Sequence, residues 1–347
     1  MTMMLKNKTF KFVLKVSLLV GLILLIKDQN GVFKKGTPMS ESKILMDTIV
    51  KFDLCDDGHS MQQMKNAFDE AWKKFYDLES KLNAYDQKSE LSKINDSFPD
   101  PIFVSSDSYR LIEASVNYYE KTNGAFNICV GPLIRMWKEA KKNNKIPSEQ
   151  DYLKIRSAID IRNIGLIKGG KVILKNKFTR LDLGGIAKGY AVDEVVKIFK
   201  QHGFDSFLID AGGDVYASGF NCEGKPWRIG IRDPLNRSDI IDVVSVSDSA
   251  VTTSGNYERY YQIGESKYSH IFDPRNLMPQ KSVISATVIA PTAQEADAFS
   301  TALCVLGEEE GFKIIDGYDN KFAAFIVLNN NDGLIEKKVS KHYKKFQ

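Results

Sequence analysis

The sequence predicts an α+β protein with antiparallel sheets and packed helices. From about residue 163 the chain alternates short strands with turns and hairpins, and its helices are clustered elsewhere. Consecutive strands joined by hairpins favour this class over a doubly wound parallel sheet. About 310 residues follow the N-terminal segment without a low-complexity linker or an internal repeat. We therefore assign residues 42–340 to one domain.

The first 35 residues predict an export segment. An uninterrupted apolar run from Val16 to Ile26 follows the lysines Lys6, Lys8, Lys11 and Lys15. The run is shorter than the roughly 20 residues of a full membrane span, and the order of charged and then apolar residues is typical of a signal. We predict a signal-anchor that places the catalytic domain outside the cytoplasm. A cleaved signal peptide is the alternative, and a helix packed on a soluble core is a more distant one.

Composition and charge describe an ordinary globular protein. Hydrophobic residues make up 43% of the chain, charged residues make up 27%, and the net charge is +4. Much of the positive excess lies in the N-terminal segment and in a tail at residues 337–345 that we expect to be solvated, so we predict no nucleic-acid partner. The cysteines Cys55, Cys129, Cys222 and Cys304 lack metal-ligand spacing, and their pattern leaves open whether any pair is oxidised. We expect Cys304 in the core.

The first part of the predicted domain is mainly helical. An apolar stripe predicts a long helix over His59–Asn83, and a helix over Ser106–Lys121 should stop at Asn123-Gly124. A single strand is predicted before them, over Ser42–Leu54. Gly131-Pro132 should break the following element, and the polar residues 138–144 should form a surface excursion.

The second part is predicted to build the sheet. Residues 257–263 and 268–272 should pair as a hairpin, and a helix over Ala293–Leu306 should stop at Gly307. A strand over Ala323–Leu328 should close the sheet. The other predicted strands are Val172–Leu174, a short strand at Leu181, Phe207–Asp214, Trp227–Ile231, Val243–Val246, Ala250–Thr253 and Ile284–Ile289.

The segment Leu181–Asp193 is the first candidate site. It predicts a short apolar strand, a glycine pair at Gly184 and Gly185, and a helix that ends near Gly203. The glycines allow positive φ and close approach of a ligand, and the free N–H groups of a helix N-terminus suit a phosphate. Lys188 would add a full positive charge. A tight strand-to-helix turn without a ligand is the competing interpretation.

The helix predicted over Ala293–Leu306 carries the second candidate site. Asp297, Ser300 and Thr301 occur at i, i+3 and i+4, so their oxygens share one helix face among apolar neighbours. Buried polar groups need partners, and Mg²⁺ accepts oxygen ligands of this kind. A carboxylate bonded to neighbouring hydroxyls or to the backbone is the alternative.

His270 is the third candidate. It lies near the end of a predicted hairpin strand, in the motif Tyr268-Ser-His-Ile-Phe-Asp-Pro274. A histidine there would titrate near neutrality and act as a general base. A hydrogen-bonded structural histidine is the alternative.

In this order, the motifs resemble the ApbE family of FAD:protein FMN transferases, from about Leu45 to about Gly307. One departure is Met46-Asp47-Thr48, where the family usually has Met-Gly-Thr. The blocks that carry the resemblance are residues 82–95 with Ser-Glu-Leu-Ser-Lys-Ile-Asn, Gly124-Ala-Phe-Asn, Gly131-Pro-Leu with Trp137, Leu181–Asp193, Ala211-Gly-Gly-Asp214, Thr253-Ser-Gly-Asn-Tyr-Glu-Arg259, Ser269–Pro274 and Ala296–Thr301.

The resemblance implies a Mg²⁺-dependent transferase that moves the FMN part of FAD to a Thr or Ser of an acceptor flavoprotein and releases AMP. It also implies an α+β fold at the bacterial inner membrane, with the catalytic domain in the periplasm and an acceptor such as a membrane redox-pump subunit. By position, His270 matches the catalytic histidine, and Gly185, Asp297, Ser300 and Thr301 match the metal site. The flavin-contact positions match Met46, Tyr85, Ala125, Phe126, Asn127, Asp182, Lys188 and Ile271.

Two other functions use the same residues. An FAD pyrophosphatase would replace the acceptor hydroxyl with water and produce FMN and AMP. A non-catalytic protein would bind FAD and store or deliver it.

Overall fold

The computed structural model describes residues 38–55, 58–236, 238–256, 259–329 and 334–347. The export segment predicted over residues 1–35 lies outside the described residues and stays a prediction. Within the described ranges, no helix is both long enough and apolar enough to cross a membrane.

An eight-stranded antiparallel sheet organises the described chain. The strands are β1 (Met39–Leu45), β2 (Thr48–Leu54), β3 (Ile102–Phe103), β4 (Ile164–Ile167), β5 (Lys171–Leu174), β6 (Phe207–Ala211), β7 (Asp214–Ser218), β8 (Trp227–Arg232), β9 (Ile240–Val246), β10 (Ser249–Gly255), β11 (Tyr260–Ile263), β12 (Ser266–Ser269), β13 (Phe272–Asp273), β14 (Met278–Pro279), β15 (Val283–Ala290), β16 (Ala323–Asn329) and β17 (Ile335–Val339). The main sheet has the order β1-β2-β6-β7-β10-β15-β16-β17. Three two-stranded ribbons (β8-β9, β11-β12 and β13-β14) and a three-stranded sheet, β3-β5-β4, accompany it. The predicted α+β class with antiparallel sheets is confirmed.

The helices pack on this sheet and on one another. They are α1 (Met61–Leu82), α2 (Glu90–Asp96), α3 (Ser106–Lys121), α4 (Gly131–Asn143), α5 (Glu149–Arg156), α6 (Ala187–Gln201) and α7 (Ala293–Ile315). The helices α1 and α3 follow their predictions closely. A capping box between Ser60 and Gln63 starts α1, and Asn123 and Gly124, with φ of 50° and 81°, follow the end of α3.

The single strand predicted over Ser42–Leu54 is wrong. The chain forms a β1-β2 hairpin in which Leu45 pairs with Thr48. Met46 and Asp47 occupy the turn with φ of 49° and 60°, the left-handed region that a two-residue hairpin turn requires. Asp tolerates this region, but the sequence lacks the Asn-Gly or Asp-Gly signal that marks such turns, which is why the turn escaped prediction.

The break predicted at Gly131-Pro132 is also wrong. Both residues lie in the first turn of α4, where proline fits because its missing N–H group has no intrahelical partner anyway. The polar residues that follow continue this helix to Asn143, and Asn144 ends it in the left-handed conformation. Trp137 and Ala140 form the buried face of α4, so the charged residues between them are its solvent face.

Leu181 lies in a segment without regular secondary structure, outside the sheets. Its amide donates to Asn95 Oδ1 at 2.6 Å, and Asn95 Nδ2 donates back to the Leu181 carbonyl at 3.0 Å. A side chain therefore supplies the hydrogen bonds that a neighbouring strand would have supplied. The strand predicted at Leu181 does not form. The two hydrogen bonds with the Asn95 side chain take its place, and the strand propensity of the local residues does not predict them.

The C-terminal part of the chain is folded. Helix α7 kinks at Gly307, which has φ of 72°, and then continues to Ile315, so the predicted stop is a break between two helical segments. Beyond the predicted last strand, β17 adds an edge to the sheet. Tyr343 is fully buried, and its hydroxyl donates to Asp242 at 2.9 Å. The tail predicted to be solvated is thus anchored by its aromatic residues, while its lysines remain outside.

One disulfide, Cys55–Cys222, joins the end of β2 to the turn after β7. This resolves the oxidation state that the sequence left open. Cys129 and Cys304 are buried outside this disulfide, as predicted for Cys304.

Candidate active site

A cavity of about 570 Å³ brings the predicted site residues together. Six parts of the chain surround the cavity: the β1-β2 turn, the segment after α1, the start of α6, the end of β10, the segment around His270, and helix α7. The predicted residues that line it are Met46, Tyr85, Ala125, Phe126, Asn127, Asp182, Gly185, Lys188, His270, Ile271, Asp297 and Thr301. Ser300 lies behind the wall with a fully buried side chain.

The crossing of α6 and α7 forms the floor of the cavity. The Gly189 amide donates to Asp297 Oδ2 at 3.1 Å, and a Cβ at Gly189 would lie 2.3 Å from the Ala293 carbonyl oxygen. One turn further along α6, the Asp193 carboxylate accepts the N–H groups of Ala293 and Gln294 at 2.8 and 2.9 Å. Asp193 thus caps the helix that carries Asp297, and Gly189 allows the two helices to approach.

The glycine turn works by close packing. Neither Gly184 nor Gly185 is among the residues with positive φ, so the predicted positive φ is wrong, while the predicted close approach of a ligand stays a prediction. A Cβ at Gly185 would lie 3.0 Å from Thr301 Oγ1 and 3.3 Å from the Phe126 ring. A side chain at Gly185 would therefore be in tight contact with Thr301 and Phe126, where the turn meets α7 and the cavity wall.

The helix N-terminus presents fewer N–H groups than predicted. The amides of Ile186 and Ala187 donate to the Leu183 carbonyl at 3.1 and 2.9 Å, and the Gly184 amide donates to Asp182 Oδ1 at 2.9 Å. Turn hydrogen bonds formed within the segment account for these three donors. The positive charge at this end of the cavity therefore comes mainly from the side chain of Lys188.

Lys188 pairs with a carboxylate that the sequence argument did not single out. Its ammonium contacts Asp214 Oδ2 at 2.5 Å, and Asp214 is completely buried. Burial and the charge of Asp297 raise the pKa of Asp214, while the charge of Lys188 and its hydrogen bond lower it. In the sequence, Asp214 stands out only as part of the block Ala211-Gly-Gly-Asp214. Its pairing with Lys188 joins the start of β7 to the start of α6, and local sequence patterns do not reveal such a long-range contact.

The predicted metal-site residues form an oxygen-rich cluster. Ser254 Oγ lies 2.9 Å from Ser300 Oγ and 3.3 Å from Thr301 Oγ1, and Ser300 Oγ also contacts the Asp297 carbonyl at 3.0 Å. In the sequence, Ser254 stands out only as part of the block Thr253–Arg259, because its contacts with Ser300 and Thr301 span 46 and 47 residues. The hydroxyls of β10 and α7 thus hold one another beside Asp297.

This donor set fits a hard divalent cation. Asp297 is 3% exposed, and desolvation raises the pKa of its carboxyl group although Lys188 and the Gly189 amide act in the opposite direction. Two buried carboxylates, Asp297 and Asp214, thus lie near a single lysine. Carboxylate and hydroxyl oxygens are the ligands that Mg²⁺ prefers. Clusters of three or more His, Cys, Asp or Glu residues suited to a metal do not occur in the described ranges, so a cation here would depend also on hydroxyl and carbonyl oxygens.

The wall opposite the floor is apolar and partly aromatic. Ala125 and Phe126 are buried against the core, and Asn127 uses its side chain to cap the next turn, accepting from the Cys129 amide at 2.8 Å. Tyr85 is 64% exposed, with the ammonium of Lys138 3.8 Å from its ring centre. One face of the Tyr85 ring is therefore already covered by a cation, which leaves the other for a ligand.

His270 is held in one tautomer. Its Nδ1 lies 2.8 Å from the Arg259 carbonyl oxygen, which only accepts, so Nδ1 carries the proton and Nε2 keeps a lone pair. Burial lowers the pKa of His270, and the Arg259 charge acts in the same direction. The Arg259 side chain also pairs with Asp47 at 3.6 Å across the cavity mouth. The neutral imidazole is thus the main form near pH 7.

A cavity that combines a neutral histidine, buried carboxylates, a lysine and grouped hydroxyls is an enzyme site suited to a phosphorylated ligand. The family model named "ApbE family" matches residues 46–326. This chain therefore belongs to the ApbE family.

Individual relatives agree in sequence and structure. The FAD:protein FMN transferase of Escherichia coli K12 is 32% identical over 67% of this chain and 69% of its own length. That of Haemophilus influenzae is 28% identical over 88% of this chain and 91% of its own. The solved ApbE protein of Thermotoga maritima superposes with a TM-score of 0.79 at 30% identity, covering 89% of this chain and 99% of the other. The flavin transferase ApbE of Vibrio cholerae gives 0.77 at 26% identity, with the same coverage. The predicted family, ApbE-like fold and transferase class are confirmed.

Proposed function

We propose that this protein transfers the FMN part of FAD to a Thr or Ser hydroxyl of an acceptor flavoprotein and releases AMP. The observation that carries the proposal is that one cavity joins an apolar wall, the Lys188 ammonium, the oxygen cluster at Asp297 and the His270 imidazole. FAD has the matching parts, since a diphosphate lies between two ring systems. The relatives named FAD:protein FMN transferase support this substrate and reaction class.

Each group has a part in the proposed reaction. The acceptor oxygen attacks the phosphorus of the FMN half, the bond to the AMP phosphate breaks, and the hydroxyl proton passes to His270 Nε2. Lys188 neutralises charge on the phosphoryl oxygens, and Phe126, Ile271 and one face of Tyr85 contact the rings. A bound Mg²⁺ would be held by Asp297, Thr301 and the Gly185 carbonyl, with Ser300 and Ser254 supporting Thr301, and would neutralise charge on the diphosphate.

The test is to incubate the protein with FAD, Mg²⁺ and candidate acceptors and to follow AMP and acceptor-bound flavin together. We expect equal amounts of both products. AMP and free FMN without acceptor-bound flavin would identify a pyrophosphatase, and retained FAD without AMP would identify a binding protein. Either result contradicts the proposal.

His270 gives the reaction an expected pH dependence. Only the neutral imidazole accepts a proton, and burial lowers its pKa below the ordinary value near 6.5. The rate of transfer should therefore rise with pH through that lowered pKa and level off above it. His270→Ala should slow transfer by roughly 10²- to 10⁴-fold and remove this limb of the profile.

Measuring FAD affinity distinguishes a general-base role of His270 from a role in binding FAD. We expect His270→Ala to bind FAD as the wild type does in a fluorescence titration. A variant that loses FAD binding, or that keeps the acidic limb of the pH profile, would show that His270 is not the base.

We also propose that the catalytic domain faces the periplasm, anchored by the N-terminal segment. The Cys55–Cys222 disulfide supports this location because disulfides persist in oxidising compartments and are rare in the cytosol.

A further inference from the structure

Asp214 lies at a turn that directs it into the protein. It is the first residue of β7, directly after Gly212 and Gly213, which have φ of 68° and 96°. A Cβ at Gly212 would lie 1.9 Å from Thr48 Oγ1, so only glycine lets this turn pack against the start of β2. The backbone of the turn thus places the Asp214 carboxylate beneath the cavity floor.

The Asp214 carboxylate contacts the ammonium group of Lys188, a residue that lines the cavity. Lys188 lies in the first turn of α6, its side chain is 27% exposed, and its ammonium contacts Asp214 Oδ2. A lysine ammonium on a four-carbon stem is mobile and loses charge readily when it is buried. A buried carboxylate on its inner side counters both effects.

The environment of the second carboxylate oxygen indicates that Asp214 is not at this position to stabilise the fold. Asp214 Oδ1 is buried and has no hydrogen-bond partner among the described residues. An uncompensated polar atom of this kind destabilises the folded state, and an apolar residue would avoid the loss. Such a group is a reasonable candidate for a role outside folding.

We propose that Asp214 is a positioning residue that holds the Lys188 ammonium, charged and directed at the cavity, for the diphosphate of FAD. This inference rests on the proposed function. Asp214 acts through Lys188 and does not itself touch the ligand. The effect of removing Asp214 should therefore depend on whether Lys188 is present.

A double-mutant cycle on FAD affinity tests this dependence. Asp214→Asn keeps the shape of the side chain and removes its charge, and Lys188→Met keeps most of the stem. We measure FAD binding to the full chain by flavin fluorescence, with EDTA present so that no metal contributes. Each single variant should bind FAD about 10-fold more weakly, as expected for loss of one charged hydrogen bond, and the double variant should be no weaker than Lys188→Met alone.

Asp210→Asn is the matched control. Asp210 lies at the other end of the same turn, where its carboxylate accepts the Gly213 amide at 2.8 Å, and Asn keeps that acceptor. FAD affinity should stay within about twofold of the wild type, because Asn at position 210 keeps the hydrogen bond to the Gly213 amide that holds the turn.

Three outcomes would overturn the proposal. Asp214→Asn could bind FAD as tightly as the wild type or more tightly. The two single effects could multiply in the double variant, as for independent sites. Asp214→Asn could weaken Mn²⁺ binding while FAD affinity stays unchanged, as for a metal ligand. The titration needs neither acceptor nor turnover, so a protein that binds FAD without transferring FMN would contradict the proposed function and leave this test intact.

Discussion

Asp297→Ala is expected to reduce Mg²⁺-dependent flavin transfer by at least about 100-fold, since charge neutralisation by a metal is worth several kcal/mol in phosphoryl transfer. Asp297 supplies the carboxylate among the metal-site residues predicted on α7. It lies where the start of α6 meets that helix, with its Oδ2 bonded to the Gly189 amide. AMP release at several Mg²⁺ concentrations gives the measurement.

The fold should survive this change. Losing the hydrogen bond from the buried Gly189 amide should lower the free energy of unfolding by no more than about 3 kcal/mol, and the relief of a desolvated carboxylate with a raised pKa should offset part of that loss. Glu309→Ala is the matched control, because Glu309 is an exposed carboxylate on the same helix. Near wild-type turnover in Asp297→Ala would remove the metal role, whereas equal losses in both variants would point to a general effect on α7.

Replacing both Cys55 and Cys222 with Ser should lower the free energy of unfolding by about 5 kcal/mol. The disulfide closes a loop with a sequence separation of 167, and the chain-entropy cost that it removes from folding grows with loop length. For a domain of this size, such a loss corresponds to a fall in Tm of about 5–10 °C. Thermal unfolding followed by circular dichroism measures it.

Reductant provides the control. It should lower the Tm of the wild type to that of the double variant and leave the variant unchanged. A wild type whose Tm is insensitive to reductant would contradict the stabilising role. The oxidation state in cells bears on location as well, because a protein recovered with Cys55 and Cys222 reduced would contradict a periplasmic domain.

Local patterns in the sequence predicted most of the elements. The apolar stripe that includes Phe68 and Trp72 located α1, and Asn123-Gly124 located the end of α3, because both signals depend on residues close in sequence. The errors arose where backbone conformation or a long-range hydrogen bond determines the structure and the local sequence pattern does not show it. Met46 and Asp47 turn a hairpin without a glycine, and Leu181 takes its hydrogen bonds from Asn95, 86 residues away.

The candidate site shows the same division. Motifs placed Asp297, His270 and Lys188, and all three line the cavity. Arg259 contacts His270 across the predicted hairpin, but two other partners are far away in sequence: Asp214 for Lys188 and Ser254 for Thr301. A single sequence carries no signal for such contacts. For Gly185 the expected positive φ is wrong, and the structure shows instead a close approach to Thr301 and Phe126.

The central claim is that this cavity lets a protein hydroxyl cleave the diphosphate of FAD. Tandem mass spectrometry of an acceptor flavoprotein, after incubation with FAD, Mg²⁺ and either the wild type or Asp297→Ala, tests it most directly. We predict FMN on a single Thr or Ser through a phosphoester, only with the wild type and in amounts equal to the AMP released. An unmodified acceptor alongside AMP and free FMN would contradict the account.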